Sequence, residues 1–270
     1  MIRCLTVHAR GWALALAVVL AAAGCGRTDT NVVSAIGSTS VQPFAELLAD
    51  EFQKTHPGAQ VEVQGGGSTA GIQALACGIA DIGMCSRSLT DEEKPLYTAI
   101  TIARDGLAVV VHPSNPVTAL TRDQVRRLFS GETANWKEVG GADLPVRTIT
   151  REEGSGTREA FEKLVMKKER ISKRALVQES NGAMKELVIH DPAAVGYMSL
   201  GLVGAAAKAL VIDGYQPLAA EVTAGRYPLV RPFLFVVKGT PAPRVQAFID
   251  FVLSPEGQAH LEREGLVRAQ

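Results

Sequence analysis

Residues 144–161, LPVRTITREEGSGTREAF, pass from an alternating, β-branched segment through Glu-Glu-Gly-Ser-Gly-Thr into an apolar-periodic one. β-branched residues suit a pleated strand, and a hydroxyl residue ahead of periodic apolar positions marks a helix start, so the stretch reads as strand, turn, helix. The same order recurs at AIGSTSVQPF (35–44) and at VQGGGSTAGI (63–72). Strands alternating with helices are the sign of an α/β fold with largely parallel sheets.

Outward from these turns the pattern holds. NVVSAIG is a strand, and VQPFAELLADEFQKTHPG is a helix with apolar residues at Phe44, Leu47, Leu48 and Phe52, closed by Pro57-Gly58. AQVEVQ, a helix from Ser68, a strand through Ile82 and two extended runs, YTAITIARD and LAVVVHP, complete one sheet-building unit. A second begins at TRDQVRRLFSG, a helix expected to start at Thr121 and stop at Gly131. LPVRTITRE, SNGAMKELVIH, AVGYMSL and KALVIDG continue it; PLVRPFLFVVKG reads as an apolar strand, followed by helices at 241–253 and 255–264.

The chain has 270 residues, 46% hydrophobic and 21% charged, enough for one large core or two smaller ones. Lys+Arg and Asp+Glu both number 28, so no net field favours nucleic acid. Aromatics at 5% argue against a site that stacks sugars or aromatic amines. Arg3 and Arg10 precede the uncharged run GWALALAVVLAAAGC, which is shorter than a membrane span and reads as an export signal over 1–24. Cys25 after Ala22-Ala23-Gly24 resembles the acylated cysteine of bacterial lipoproteins, although Ala22 stands where that pattern prefers Leu. A polar tether over 25–31 follows. Cys77 and Cys85 are expected at opposite ends of one strand, too far apart to bridge, and so to be free thiols.

Each of the three turns aims unpaired N–H groups and a positive helix end at one side of the sheet, a ready place for an anion. A routine Ser/Thr cap explains any one of them; three together point to a site. Arg151, four residues before Ser155, could reach across its own turn as a fork-shaped donor, with Glu153 placed to hold it. DIGMCSRS (81–88) adds Ser86 and Arg87 just past an apolar strand. Enzyme readings are weaker: GGSTA lacks the last glycine of a nucleophile elbow, the histidines sit in unrelated contexts, GSGTR lacks the lysine and spacing of a phosphate loop, and metal-ligand spacing is absent.

AIGSTS, GGGSTAG, DIGMCSR, NWKEVGG, REEGSGTREAF and YPLVRPFLFVVKG, in this order, resemble the phosphate-binding proteins of bacterial phosphate ABC transporters in their shorter form, from about residue 32 to the end. The resemblance implies a class II periplasmic-binding-protein fold: lobe 1 over 32–111 plus 229–270, lobe 2 over 112–228, and a ligand cleft between them. It implies a monomeric, non-catalytic receptor without cofactor or metal. Such a receptor sits in the periplasm or on the outer face of the membrane and hands inorganic phosphate to permease subunits. By position, Thr39 and Ser40 would donate from the first turn, Ser68 from the second, Arg151, Ser155, Gly156 and Thr157 from the third, with Ser86 and Arg87 beside them. The long form of the family carries an aspartate where Ser86 stands, to accept the proton of hydrogen phosphate. A serine does not repel an unprotonated oxyanion as a carboxylate would, so sulfate, tungstate or molybdate binding is the alternative, as is a sensor without transport.

Overall fold

In the computed structural model, which describes residues 32–269, the three strand–turn–helix units form as expected. β1 (Val32–Gly37) leads into α1 (Gln42–Thr55), β2 (Gln60–Gly65) into α2 (Ser68–Ala76), and β6 (Arg147–Arg151) into α4 (Gly156–Phe161), which continues as one π turn over Glu162–Met166. The expected signal peptide, the tether and Cys25 lie outside the described residues. Between these units stand β3 (Ile82–Cys85), β4 (Thr98–Val111), β5 (Ala119–Leu120) and α3 (Arg122–Ser130). After α4 come β7 (Leu176–Gln178), α5 (Asn181–His190), β8 (Ala194–Ser199), β9 (Lys208–Ala209), β10 (Val211–Ile212) and α6 (Ala219–Thr223). β11 (Val230–Val237), α7 (Pro243–Leu253), α8 (Pro255–Arg263) and β12 (Val267–Arg268) close the chain.

The main sheet has the order β2-β1-β3-β11-β4-β8-β6-β7, with β9 and β12 also paired to β4. Pairing is parallel where the strand–turn–helix units meet, β1 with β3 and β6 with both β7 and β8. It is antiparallel at the centre, where β11 runs against β3 and β4, and β4 against β8. That centre is the departure from a largely parallel reading. A strand returning from the far end of the chain needs no helical crossover, and hydrophobicity alone carries no strand direction.

β4 is a single strand of 14 residues where the sequence suggested two runs. Ile102 and Ala103 pack with α1, α7 and Phe233 in one core, whereas Leu107, Val109 and Val111 pack with Val125, Phe129, Trp136 and Tyr197 in a second. Ala108 and Val110, on its other face, join Ile149, Met184 and Met198. The strand passes from the first core to the second near Arg104-Asp105-Gly106, the point at which the two expected extended runs, YTAITIARD and LAVVVHP, meet. Thr121 and Gly131 bound α3 as expected: Thr121 Oγ1 accepts from the Gln124 amide (3.1 Å), Gln124 Oε1 accepts from the Thr121 amide (2.8 Å), and Gly131 takes φ 86°. Cys77 is exposed, Cys85 is buried, and both are free.

Candidate functional site

The three turns converge where the two cores meet. Arg151, the last residue of β6, is 1% exposed. Its Nε and Nη2 donate to the two carboxylate oxygens of Glu152 at 2.9 Å each, its Nε and Nη2 also reach the Gln178 and Glu179 carbonyls, and Nη2 donates to Thr39 Oγ1 at 3.1 Å. The expected partner Glu153 is not the one that holds it. Adjacent Glu152 does, since a fork held by its own neighbour leaves the guanidinium lying across the turn.

Tyr197 on β8 sets this end of β6. Its phenol oxygen accepts from the Arg151 amide at 3.3 Å and shares a hydrogen bond with Thr150 Oγ1 at 2.7 Å. Burial pushes that phenol up to about 12, so it stays neutral, and its ring stacks on Phe161 of α4 at 3.9 Å. One side chain thus fixes both the strand before the turn and the helix after it.

Ser40, Thr157 and Arg231 form the centre. Ser40 Oγ and Thr157 Oγ1 are 2.7 Å apart; Arg231 donates through Nη1 to Thr157 Oγ1 (2.7 Å) and through Nη2 to Ser40 Oγ (3.1 Å). Arg231 Nη1 also approaches the Ser86 carbonyl at 3.5 Å. Ser68 Oγ accepts from the Ser86 amide (3.1 Å) and lies 3.5 Å from Ser86 Oγ. Gly156 is required here: a Cβ on it would stand 2.2 Å from Ser68 Oγ and 2.8 Å from Ser86 Oγ. Ser155 has the bland role, its hydroxyl accepting from the Arg158 amide at 3.4 Å as the cap of α4. Thr39, Ser40, Ser68, Ser86, Arg151, Gly156 and Thr157 are therefore brought together.

Arg87 is not brought into this group. Its Nη1 and Nη2 grip Glu93 at 2.7 and 2.9 Å, and its Nε lies 2.5 Å from Glu159 Oε2. Two carboxylates outcompete the hydroxyl cluster for the guanidinium, and neither carboxylate could be placed from sequence spacing.

Sequence reasoning missed Arg231, Asp105, Asn181 and Ser199. Asp105 Oδ2 accepts from Arg231 Nε at 2.9 Å and Oδ1 from Ser199 Oγ at 2.8 Å; the side chains of Asp105 and Arg231 are 0% and 1% exposed. Burial pushes the Asp105 carboxyl up, while Arg231 and Ser199 pull it down. The Asn181 amide, oriented so that its oxygen meets donors, accepts from Ser40 Oγ (2.8 Å), the Ser40 amide (3.3 Å) and Arg151 Nη1 (3.3 Å). The available signal was charge inside two otherwise apolar strands, Asp105 beside Arg104 in ITIARDGLAVVV and Arg231 in PLVRPFLFVV.

Chemically, the cluster offers two forked cations and a shell of hydroxyls within a few ångströms, and both oxygens of its one fully buried carboxylate are occupied. Among the described residues no group of three or more His, Cys, Asp or Glu is placed to hold a metal.

Comparison with known proteins agrees with this arrangement. A family model described as the PBP superfamily domain matches residues 26–256. A chain from Clostridium perfringens classed as a phosphate ABC transporter substrate-binding protein, solved with bound phosphate, is 37% identical and superposes with a TM-score of 0.86 over 89% of this chain and 100% of its own. An ABC-type phosphate transport receptor from Vibrio cholerae is 40% identical, with a TM-score of 0.73 over 87% and 99%. The phosphate-binding protein PstS of Bacillus subtilis is 29% identical over 226 residues, 82% of this chain and 75% of its own length. With its two-core α/β architecture, its convergent turns and a family match across most of its length, this chain belongs to the PBP superfamily.

Proposed function

We propose that the protein is the substrate-binding component of an ABC importer for inorganic phosphate. The observation that carries this is the convergence of Arg231, Arg151, Asn181 and the hydroxyls of Thr39, Ser40, Ser68, Ser86 and Thr157 on one spot between two lobes. A tetrahedral oxyanion presents acceptors in every direction, and fixed N–H and O–H donors from both sides offset its desolvation. The similarity to receptors named for phosphate transport supports the same ligand. Hand-over to permease subunits, export, and attachment through Cys25 belong to this reading, as does a role as a binder and not an enzyme. No described helix is long and apolar enough to cross a membrane.

Binding would proceed by capture on the open face of one lobe and closure of the other, the crossover at 104–106 and the start of β11 serving as the hinge. The Asp105–Arg231 pair sits at that crossover, so the arginine is aimed before the anion arrives and little ordering remains to be done on binding.

A second reading, a receptor that also takes sulfate or tungstate, is favoured by one feature. Asp105 spends one oxygen on Arg231 and the other on Ser199, leaving only hydroxyls and carbonyls to accept a ligand proton. A thermal-shift series on refolded protein with phosphate, arsenate, sulfate and tungstate at pH 7 separates the readings. A ligand at about 1,000 times its Kd stabilises by roughly 4 kcal/mol. Shifts with phosphate and arsenate alone support the narrow reading, shifts with sulfate or tungstate as well support the broad one, and no shift with any of the four refutes both.

A further inference from the structure

Arg87 is 8% exposed in its side chain, yet its guanidinium points away from the hydroxyl cluster, toward two glutamates. Glu93 lies in the same lobe and holds both terminal nitrogens. Glu159 lies on α4, whose Phe161 belongs to the second core, whereas Leu89 beside Arg87 packs with Ile72, Leu75 and Cys85 of the first lobe. The contact between Arg87 Nε and Glu159 Oε2 at 2.5 Å therefore bridges the lobes, as an ion pair whose N–H is not aligned for a hydrogen bond. Thr69 on α2 adds two more bridges: its Oγ1 donates to Glu159 Oε1 at 3.4 Å, and its amide donates to the Gly154 carbonyl at 3.1 Å. α4 is the helix that carries Gly156 and Thr157 into the anion cluster, so these contacts hold the cluster together without touching an anion.

We propose that Glu159 is a positioning residue: with Arg87 and Thr69 it clasps the lobes closed and slows release of the bound anion. Two features suit a clasp that must open. Glu93 keeps Arg87 paired when the lobes part, so opening strands no buried cation. Glu159 is 35% exposed and borders a cavity of about 630 Å³ shared with Arg87, Lys94, Lys163 and Arg231, so its carboxylate regains water readily once the pair separates. The effect on release rests on the phosphate reading; the effect on closure does not.

The test compares full-length wild type with Glu159→Gln and Glu159→Asp. Glu159→Gln removes the interlobe charge and leaves Arg87–Glu93 intact. Radiolabelled phosphate chased with unlabelled phosphate should leave Glu159→Gln about 10-fold faster than wild type, with association unchanged or faster, because loss of one partner in such a pair acts mainly on dissociation. Glu159→Asp, which keeps the charge, should fall between them. Small-angle scattering of unliganded protein should give Glu159→Gln the larger radius of gyration, with an unchanged melting temperature. Release rate and radius both equal to wild type overturn the clasp. Should wild type retain no labelled phosphate, the phosphate reading falls and the scattering decides alone: a larger radius for Glu159→Gln supports the clasp, and an equal one overturns it.

Discussion

At the scale of single residues, the least anticipated contact is that of Arg231 with Asp105. A charge in the middle of an apolar strand costs several kcal/mol unless it is paired, so each of these residues demands a partner. Sequence shows the two demands separately, in strands 126 positions apart, and cannot show that one answers the other. Arg151 was legible because it stands directly before the turn and its carboxylate partner is its own neighbour, though the choice between Glu152 and Glu153, and the distant acceptors Thr39, Gln178 and Glu179, were not. Arg87 is drawn away from the cluster by Glu93, six residues along the chain, and by Glu159 from the other lobe, and the sequence marks neither pairing. Anion selectivity turns on Ser86. Its hydroxyl lies beside Ser68 Oγ and the Gly156 backbone, where a carboxylate would face any unprotonated oxyanion. Ser86→Asp should therefore weaken sulfate binding by about 100-fold relative to phosphate, the scale of an uncompensated like-charge contact. Competition calorimetry with the two anions measures the ratio, and an unchanged ratio would remove Ser86 from the account of selectivity.

The elements were the most legible level. Three strand–turn–helix units, the start and stop of α3, and the two C-terminal helices all follow from local signals, hydroxyl caps, glycines beyond helix ends and a 3.6-residue apolar period. β4 and β11 were harder, since apolar patterning gives a strand neither direction nor register. The capping box on α3 adds to stability without touching the site. Thr121→Ala loses the acceptor for the Gln124 amide and should cost about 1 kcal/mol of stability, read as a lower denaturation midpoint with an unchanged slope. Phosphate affinity should stay as in wild type, because α3 packs in the second core through Val125, Leu128 and Phe129 and contributes nothing to the cluster. A loss of affinity in that variant would mean that the second lobe's packing controls the site more tightly than the contacts suggest.

For the molecule as a whole, two cores share one sheet through β4 and β11, and the anion cluster sits at that seam, built by residues from both sides. This explains why so much of the site is far apart in sequence: Ser40, Thr157 and Arg231 are separated by 117 and 74 positions. If this seam binds phosphate with Arg231 as its principal cation, titration calorimetry of wild type and Arg231→Lys at pH 7 will show it. Lysine keeps a cation beside Asp105 but loses the fork that spans Ser40 and Thr157. Wild type should take up one phosphate per chain at micromolar affinity or tighter, and Arg231→Lys should lose at least about 2 kcal/mol, roughly 30-fold, with the fold retained. Wild type that takes up no phosphate, or a folded Arg231→Lys that binds it as tightly as wild type, would contradict the claim.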